Sequence, residues 1–153
     1  MPNYANGKIY KLIDGENQCL YVGSTVHSLE RRLMCHKTAC NYGIMMPLYR
    51  YIRSLPNGWG NIKIQLVCDA VCESLEHLRR IEGGYIRNIK PKCNRVIAGR
   101  TSVQYYQDNR IRIKQFYQDN KTRLIEYQKQ YNHEHADHIR EYMRTYVRPI
   151  TEI

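Results

Sequence analysis

The chain has no apolar run approaching the ~18 residues a bilayer-crossing helix needs. Its opening, residues 1–7, is polar and turn-like, without the charged and apolar regions of a signal peptide. Both features point to an intracellular protein, in cytoplasm or nucleus, with no membrane partner. Six cysteines stand at 19, 35, 40, 68, 72 and 93, yet none forms a CxxC pair, so a tetrahedral zinc site has little support. Buried, reduced thiols are the expected form. Zinc-finger and helix-turn-helix signatures are absent as well. Acidic residues are scarce: 14 Asp and Glu face 24 Lys and Arg, giving a net charge of +10. So large an excess exceeds what solubility requires and points to a polyanionic partner, nucleic acid being the commonest.

With 153 residues the chain can hold one domain, or one small domain with an appendage. Composition changes near Gly99. Residues 1–99 carry 14 basic and 7 acidic side chains; residues 100–153 carry 10 and 7, contain no Cys, Trp or Gly, and hold 7 of the 14 tyrosines. We therefore expect two regions, 1–99 and 100–153.

In the first region, residues 8–13 (KIYKLI) and 19–23 (CLYVG) read as a β-hairpin around the turn-forming DGEN. A loop of 14–17 pairs Ile13 with Gln18 and sets Tyr10 opposite Tyr21, with both rings on one face of the sheet. Ser28 is a good N-cap for a helix reaching about Lys37. On that helix Leu29 and Leu33 form an apolar stripe, while Arg32 and His36 stack one turn apart. A second helix opens at Pro47, with Leu48, Tyr51, Ile52 and Leu55 inward and Arg50 and Arg53 outward. Residues 62–67 alternate like a third strand. A third helix over 73–89 turns Leu75, Leu78, Tyr85, Ile86 and Ile89 inward, and Glu82 falls in that same row. An inward carboxylate is costly unless a cation meets it. It either pairs with a buried arginine such as Arg32, reaches solvent, or ligates a metal. Gly83 and Gly84 follow, and they fit either close approach of a ligand or a local kink.

This arrangement resembles the GIY-YIG endonuclease family over roughly residues 7–99. Lys8-Ile9-Tyr10 is similar to the first signature tripeptide, with Lys8 in place of its glycine, and Tyr21-Val22-Gly23 is similar to the second. Leu29-x-x-Arg32-x-x-x-His36 resembles the family's arginine-bearing helix; Glu82 with Tyr85-Ile86 resembles its metal-binding glutamate, and Asn94 its closing asparagine. The resemblance implies an α+β fold, a three-stranded antiparallel sheet flanked by helices and followed here by a helical tail. It also implies metal-dependent hydrolysis of DNA phosphodiesters. The site would comprise Tyr10, Tyr21, Arg32, His36, Glu82 and Asn94, with Glu82 holding one Mg²⁺ or Mn²⁺. Tyr10 would help activate water, with Tyr21 completing its network. Arg32 would stabilise the charged phosphate, and His36 would orient the network or shuttle a proton. Lys8, Gly23, Ser24, Arg31, Lys37, Arg50 and Arg53 are the expected DNA contacts.

The second region contains a repeat. Tyr106-Gln-Asp-Asn109 recurs eleven residues later as Tyr117-Gln-Asp-Asn120, and a degenerate third copy begins at Tyr131. Eleven residues are close to three helical turns, so equivalent residues return to nearly one face. Asp and Asn are mediocre helix formers, so these units could instead separate shorter helices, and Pro149 ends the pattern. Such tails look similar to those on GIY-YIG proteins of large DNA viruses, which suggests a viral protein acting in a host cell. Tracking phosphates by the arginines, forming a homodimer, or packing onto the first region would each fit. The alternatives to a nuclease are a catalytically silent DNA-binding relative and an assembly protein driven by the tail.

Overall fold

The structure is a computed structural model that describes residues 2–145. After a single 3₁₀ turn at Tyr4–Asn6 come β1 (Lys8–Ile13), β2 (Cys19–Thr25), α1 (Leu29–Asn41), α2 (Pro47–Ser54), β3 (Lys63–Asp69) and α3 (Leu75–Ile89). Three further helices follow: α4 (Ser102–Asp119), α5 (Lys121–Glu134) and α6 (Ala136–Thr145). The class is α+β. The chain divides into two compact units between Thr101 and Ser102. Among the described residues, no helix is long and apolar enough to cross a membrane.

In the first unit the strands form one antiparallel sheet, ordered β2-β1-β3. Side chains alternate across the central strand, so each face of the sheet builds its own core. Tyr10 and Leu12 join Leu20, Leu48, Tyr49 and Ile52 on the side of α1 and α2. Ile9 and Val22 join Leu78 and Ile86 of α3 on the other. The outer edge of β2 is covered rather than left open. The amides of Lys92 and Cys93 donate to the carbonyls of Cys19 and Leu20, at 3.1 and 2.8 Å. The edge is thus closed to a foreign strand over Cys19 and Leu20.

The hairpin register differs from expectation. Tyr10 pairs with Gly23, Leu12 with Tyr21 and Ile13 with Cys19. One residue of the shift comes from the loop. The Asp14 amide donates to the Gln18 carbonyl, the Asp14 side chain accepts from the amides of Glu16 and Gln18, and Asn17 adopts φ 61°. That is a three-residue loop with a left-handed last position, tighter than the four-residue loop expected. The second residue comes from a bulge between Leu12 and Ile13. Two single-residue steps restore the parity, so Tyr10 and Tyr21 still meet, now diagonally, with ring centroids 6.4 Å apart.

Other boundaries also moved. Ser28 caps α1, its hydroxyl accepting from the Arg31 amide, but the helix runs past Lys37 to Asn41 because no breaker precedes Gly43. Pro47 opens α2 as expected, although Tyr49 is buried there beside Leu48 and Ile52. Leu75 is 42% exposed, because Ser74 is the N-cap of α3 and its first turn overhangs the core. All six cysteines are free, yet Cys35 lies exposed on the outer side of α1, contrary to the expected burial.

The second unit is three helices whose side chains are almost entirely exposed. The first YQDN unit lies inside α4 and does not interrupt it. The second ends α4, and Asn120 separates it from α5. α5 ends at Glu134, within the degenerate third copy that begins at Tyr131, and His135 is its C-cap. Pro149 lies outside the described residues.

Candidate active site

Tyr10 stands at the centre of the sheet with no exposed surface. Because Arg32 and His36 are one turn apart on α1, both reach its hydroxyl. The Arg32 Nε–H donates to Tyr10 Oη at 2.8 Å, and Tyr10 Oη shares a hydrogen bond with His36 Nε2 at 2.7 Å. The other imidazole nitrogen, Nδ1, bonds Tyr49 Oη at 2.9 Å. His36 is therefore gripped at both nitrogens by phenols, and its ring packs edge-on against Tyr10, Tyr21 and Tyr49. Burial, reinforced by the adjacent Arg32 charge, lowers its pKa to about 4, so the ring stays neutral. A neutral imidazole has one N–H, so the proton order of Tyr10–His36–Tyr49 runs in one of two opposite directions.

Gly23 is what allows this packing. It lies opposite Tyr10 on β2, and a Cβ there would come within 2.6 Å of Tyr10 Oη and 2.8 Å of Tyr21 Cε1. Gly23 thus makes room for the two rings, and it is itself buried.

Glu82 arrives from α3. Its Oε2 accepts from Ser24 Oγ at 2.6 Å. Burial raises its pKa, opposed by the Ser24 hydrogen bond and by the positive charge of Arg32. Glu82 in turn raises Tyr21, which burial and that carboxylate together push up to about 12. Tyr10 is also raised, by burial first, while Arg32 opposes the shift. The guanidinium, the carboxylate and both phenols therefore share one electrostatic field. Beside Tyr21 and Glu82 opens a cleft of about 280 Å³, lined also by Asn94, Arg95 and Pro47; Arg32 and Tyr10 are not among its lining residues.

The donor chemistry of Glu82 fits a hard divalent cation: a half-buried carboxylate facing a cleft, with one oxygen steadied by a serine. Among the described residues no three His, Cys, Asp or Glu side chains cluster as a metal cage. Any such ion would have this single carboxylate as its acidic ligand.

Several expected residues have other partners. The Asn94 side chain accepts from the Val22 amide and donates to the Val22 carbonyl, both at 2.9 Å. It extends the edge of β2 like a strand residue, and so fixes Tyr21 and Gly23 from behind. Ser24 holds Glu82. Arg53 donates to the carbonyls of Cys40 and Ile44 and clamps the end of α1. The Lys8 amine bonds the Asn6 carbonyl. Arg31, Lys37 and Arg50 are exposed. The double glycine also has a structural cause: a Cβ on Gly83 would collide with the Ala98 carbonyl, whereas Gly84 has open space. Gly83 thus admits this chain's own segment rather than a ligand. Sequence reasoning missed Tyr49, because its neighbour Leu48 already satisfied the helical stripe, and Arg95, which carries no signal beyond following Asn94. Comparison with protein-family models, curated proteins and solved structures finds no match.

Proposed function

We propose that this chain is a metal-dependent endonuclease of the GIY-YIG type, hydrolysing DNA phosphodiester bonds at the Tyr21–Glu82 cleft. The observation that carries this reading is the joining of Arg32, through Tyr10 and through its charge, to the field of Glu82 and Tyr21. Neither a plain core nor a simple DNA-binding face needs a half-buried guanidinium and a half-buried carboxylate in one field, since burying both is costly.

Hydrolysis requires three things of these residues. An attacking water must lose a proton, the phosphate must be held while negative charge builds, and the leaving oxygen must be reprotonated. Tyr10 is a poor candidate for the first task, since its hydroxyl is sealed and already engaged by Arg32 and His36. Tyr21 lines the cleft and takes that role, its phenolate accepting the proton as water oxygen bonds phosphorus and one ester bond breaks, while the departing oxygen takes its proton from solvent water in the open cleft. Tyr10, His36 and Tyr49 act as positioning residues that hold Arg32 in place. The Arg32 guanidinium stabilises the developing charge, and Arg95 at the cleft rim offers a second cation. A divalent cation such as Mg²⁺ or Mn²⁺, held by Glu82, would supply positive charge beside the phosphate and offset the carboxylate's upward push on Tyr21.

The +10 net charge and the exposed Arg31, Lys37 and Arg50 favour a polyanionic substrate. The test is incubation of purified protein with supercoiled plasmid and Mg²⁺, beside Glu82→Ala and Arg32→Ala. Nicked or linear product from the wild type alone supports the reading. Wild type no faster than both variants overturns it and favours a silent DNA-binding protein, a reading to which the raised pKa of both phenols lends weight.

A further inference from the structure

The second unit contains a feature that the cleavage reaction does not use. α4 and α5 meet at Asn120 in an elbow that flanks an open concave space of about 840 Å³. Tyr106 and Tyr117, equivalent positions of the eleven-residue repeat, both line it, at 55% and 60% exposure. Between and beyond them stand Arg110, Lys114 and Lys121, and Ile113 and Leu124 form the floor. No Asp or Glu lines the elbow, although α4 and α5 carry Asp108, Asp119, Glu126 and Glu134 elsewhere. Tyr106 and Tyr117, and Arg110 and Lys121, are each eleven residues apart and return to this face, which carries no carboxylate; Arg112, Arg123 and Lys129 and the other rings of α4 and α5 lie elsewhere.

We propose that this elbow binds single-stranded DNA, its tyrosines stacking on unpaired bases while the three cations follow the phosphates. Charge decides the class of occupant. A second copy of the elbow would set three cations against three more with no carboxylate from either lining, so self-association through this surface is opposed. A polyanion is favoured. Apolar area then decides the kind of polyanion. A B-form duplex presents phosphates outward and keeps its base faces stacked inside, leaving exposed tyrosines and an aliphatic floor without partners. An unpaired strand offers both charge and flat π-faces, the combination that aromatic and basic grooves recognise without reading sequence. The site is independent of the cutting chemistry. For the proposed nuclease it would direct the chain to substrates with single-stranded segments.

The experiment is fluorescence anisotropy of the full-length chain with labelled oligo(dT) and with a blunt duplex of equal length. EDTA is present throughout, so cutting plays no part and a failed nuclease reading leaves this test intact. Because the first unit is itself proposed to bind duplex, the elbow is read from the difference between wild type and elbow variants on each probe. Tyr106→Ala with Tyr117→Ala should weaken single-strand binding at least tenfold, while the corresponding Phe pair should stay within about threefold of wild type, because the ring face remains. Replacing Arg110, Lys114 and Lys121 by Gln should reduce the salt slope by about 2, near 0.7 per lost phosphate contact. An unchanged helical circular-dichroism signal checks that each variant is folded. An Ala pair indistinguishable from wild type on the single strand, or one that weakens the duplex as much as the single strand, overturns the proposal. A dimer in sedimentation equilibrium that the Ala pair dissociates also overturns it, in favour of a second copy as occupant.

Discussion

His36 should make the first unit acid-sensitive in a way that can be calculated. The ring is 3% exposed, both nitrogens bond phenols, and its pKa falls from 6.5 to about 4. The unfolded chain takes up a proton near pH 6.5, whereas the folded chain resists until about 4. Between those values the unfolded state binds more protons, so stability falls as pH is lowered. For one group with these constants the loss relative to pH 8 is about 2 kcal/mol at pH 5 and about 3 kcal/mol at pH 4. Trp59, the chain's single tryptophan, packs against the cluster containing Tyr49 and Tyr10, so its fluorescence reports unfolding of this unit. Urea titrations at pH 8 and pH 5 on wild type and His36→Gln give the comparison, since other titrating groups contribute to both proteins. The variant should be less stable than wild type at pH 8 and should lose about 2 kcal/mol less on going to pH 5. An equal pH-dependent loss in the two proteins would refute the buried, neutral imidazole.

Other perturbations follow from the same geometry. Gly23→Ala should destabilise by about 1–3 kcal/mol in urea unfolding, because its methyl enters the space of the Tyr10 hydroxyl. Asn94→Ala removes two bonds to the Val22 backbone and should cost about 1–3 kcal/mol in the same assay. Tyr21→Phe should slow plasmid cleavage on the order of 10²-fold or more with little change in urea midpoint, whereas Tyr10→Phe should also lower that midpoint. With Tyr21 as base and its pKa pushed up to about 12, the logarithm of the cleavage rate should rise with pH between about 6 and 9. A plateau beginning near pH 7 would identify a different base.

The elements of the first unit were legible where local chemistry dominates. Ser28 and Pro47 announced their helices because capping and the first helical turn depend on one residue. The hairpin was legible as a hairpin but not in register: the Asp14 side chain bonds and the bulge at Leu12/Ile13 are decided by geometry within the loop and by the partner strand. That Tyr10 and Tyr21 met despite the wrong pairing is a consequence of the twofold repeat of a strand, which tolerates an even shift. Glu82 could be marked from its cost, since a buried charge demands a partner, and Arg32 from the resemblance and its spacing to Leu29 and His36, but the partner of each is tertiary. Ser24 became the carboxylate's hydrogen-bond donor, and Arg32 was engaged by Tyr10. Gly83 shows the limit of reading a glycine as a ligand site, because the close neighbour is the chain's own Ala98 carbonyl. In the second unit the repeat indicated which residues share a face, but not that its first copy would lie inside a helix while the second and the degenerate third coincide with helix ends.

The central claim is that Arg32 and Glu82 act on one phosphate, and a double-mutant cycle on single-turnover cleavage tests it most directly. Each single substitution to Ala should slow cleavage on the order of 10²–10³-fold. If the two groups serve the same transition state, the double variant should be little slower than the slower single. Independent, multiplying losses, or a wild type with no Mg²⁺-dependent cleavage to lose, would contradict the account.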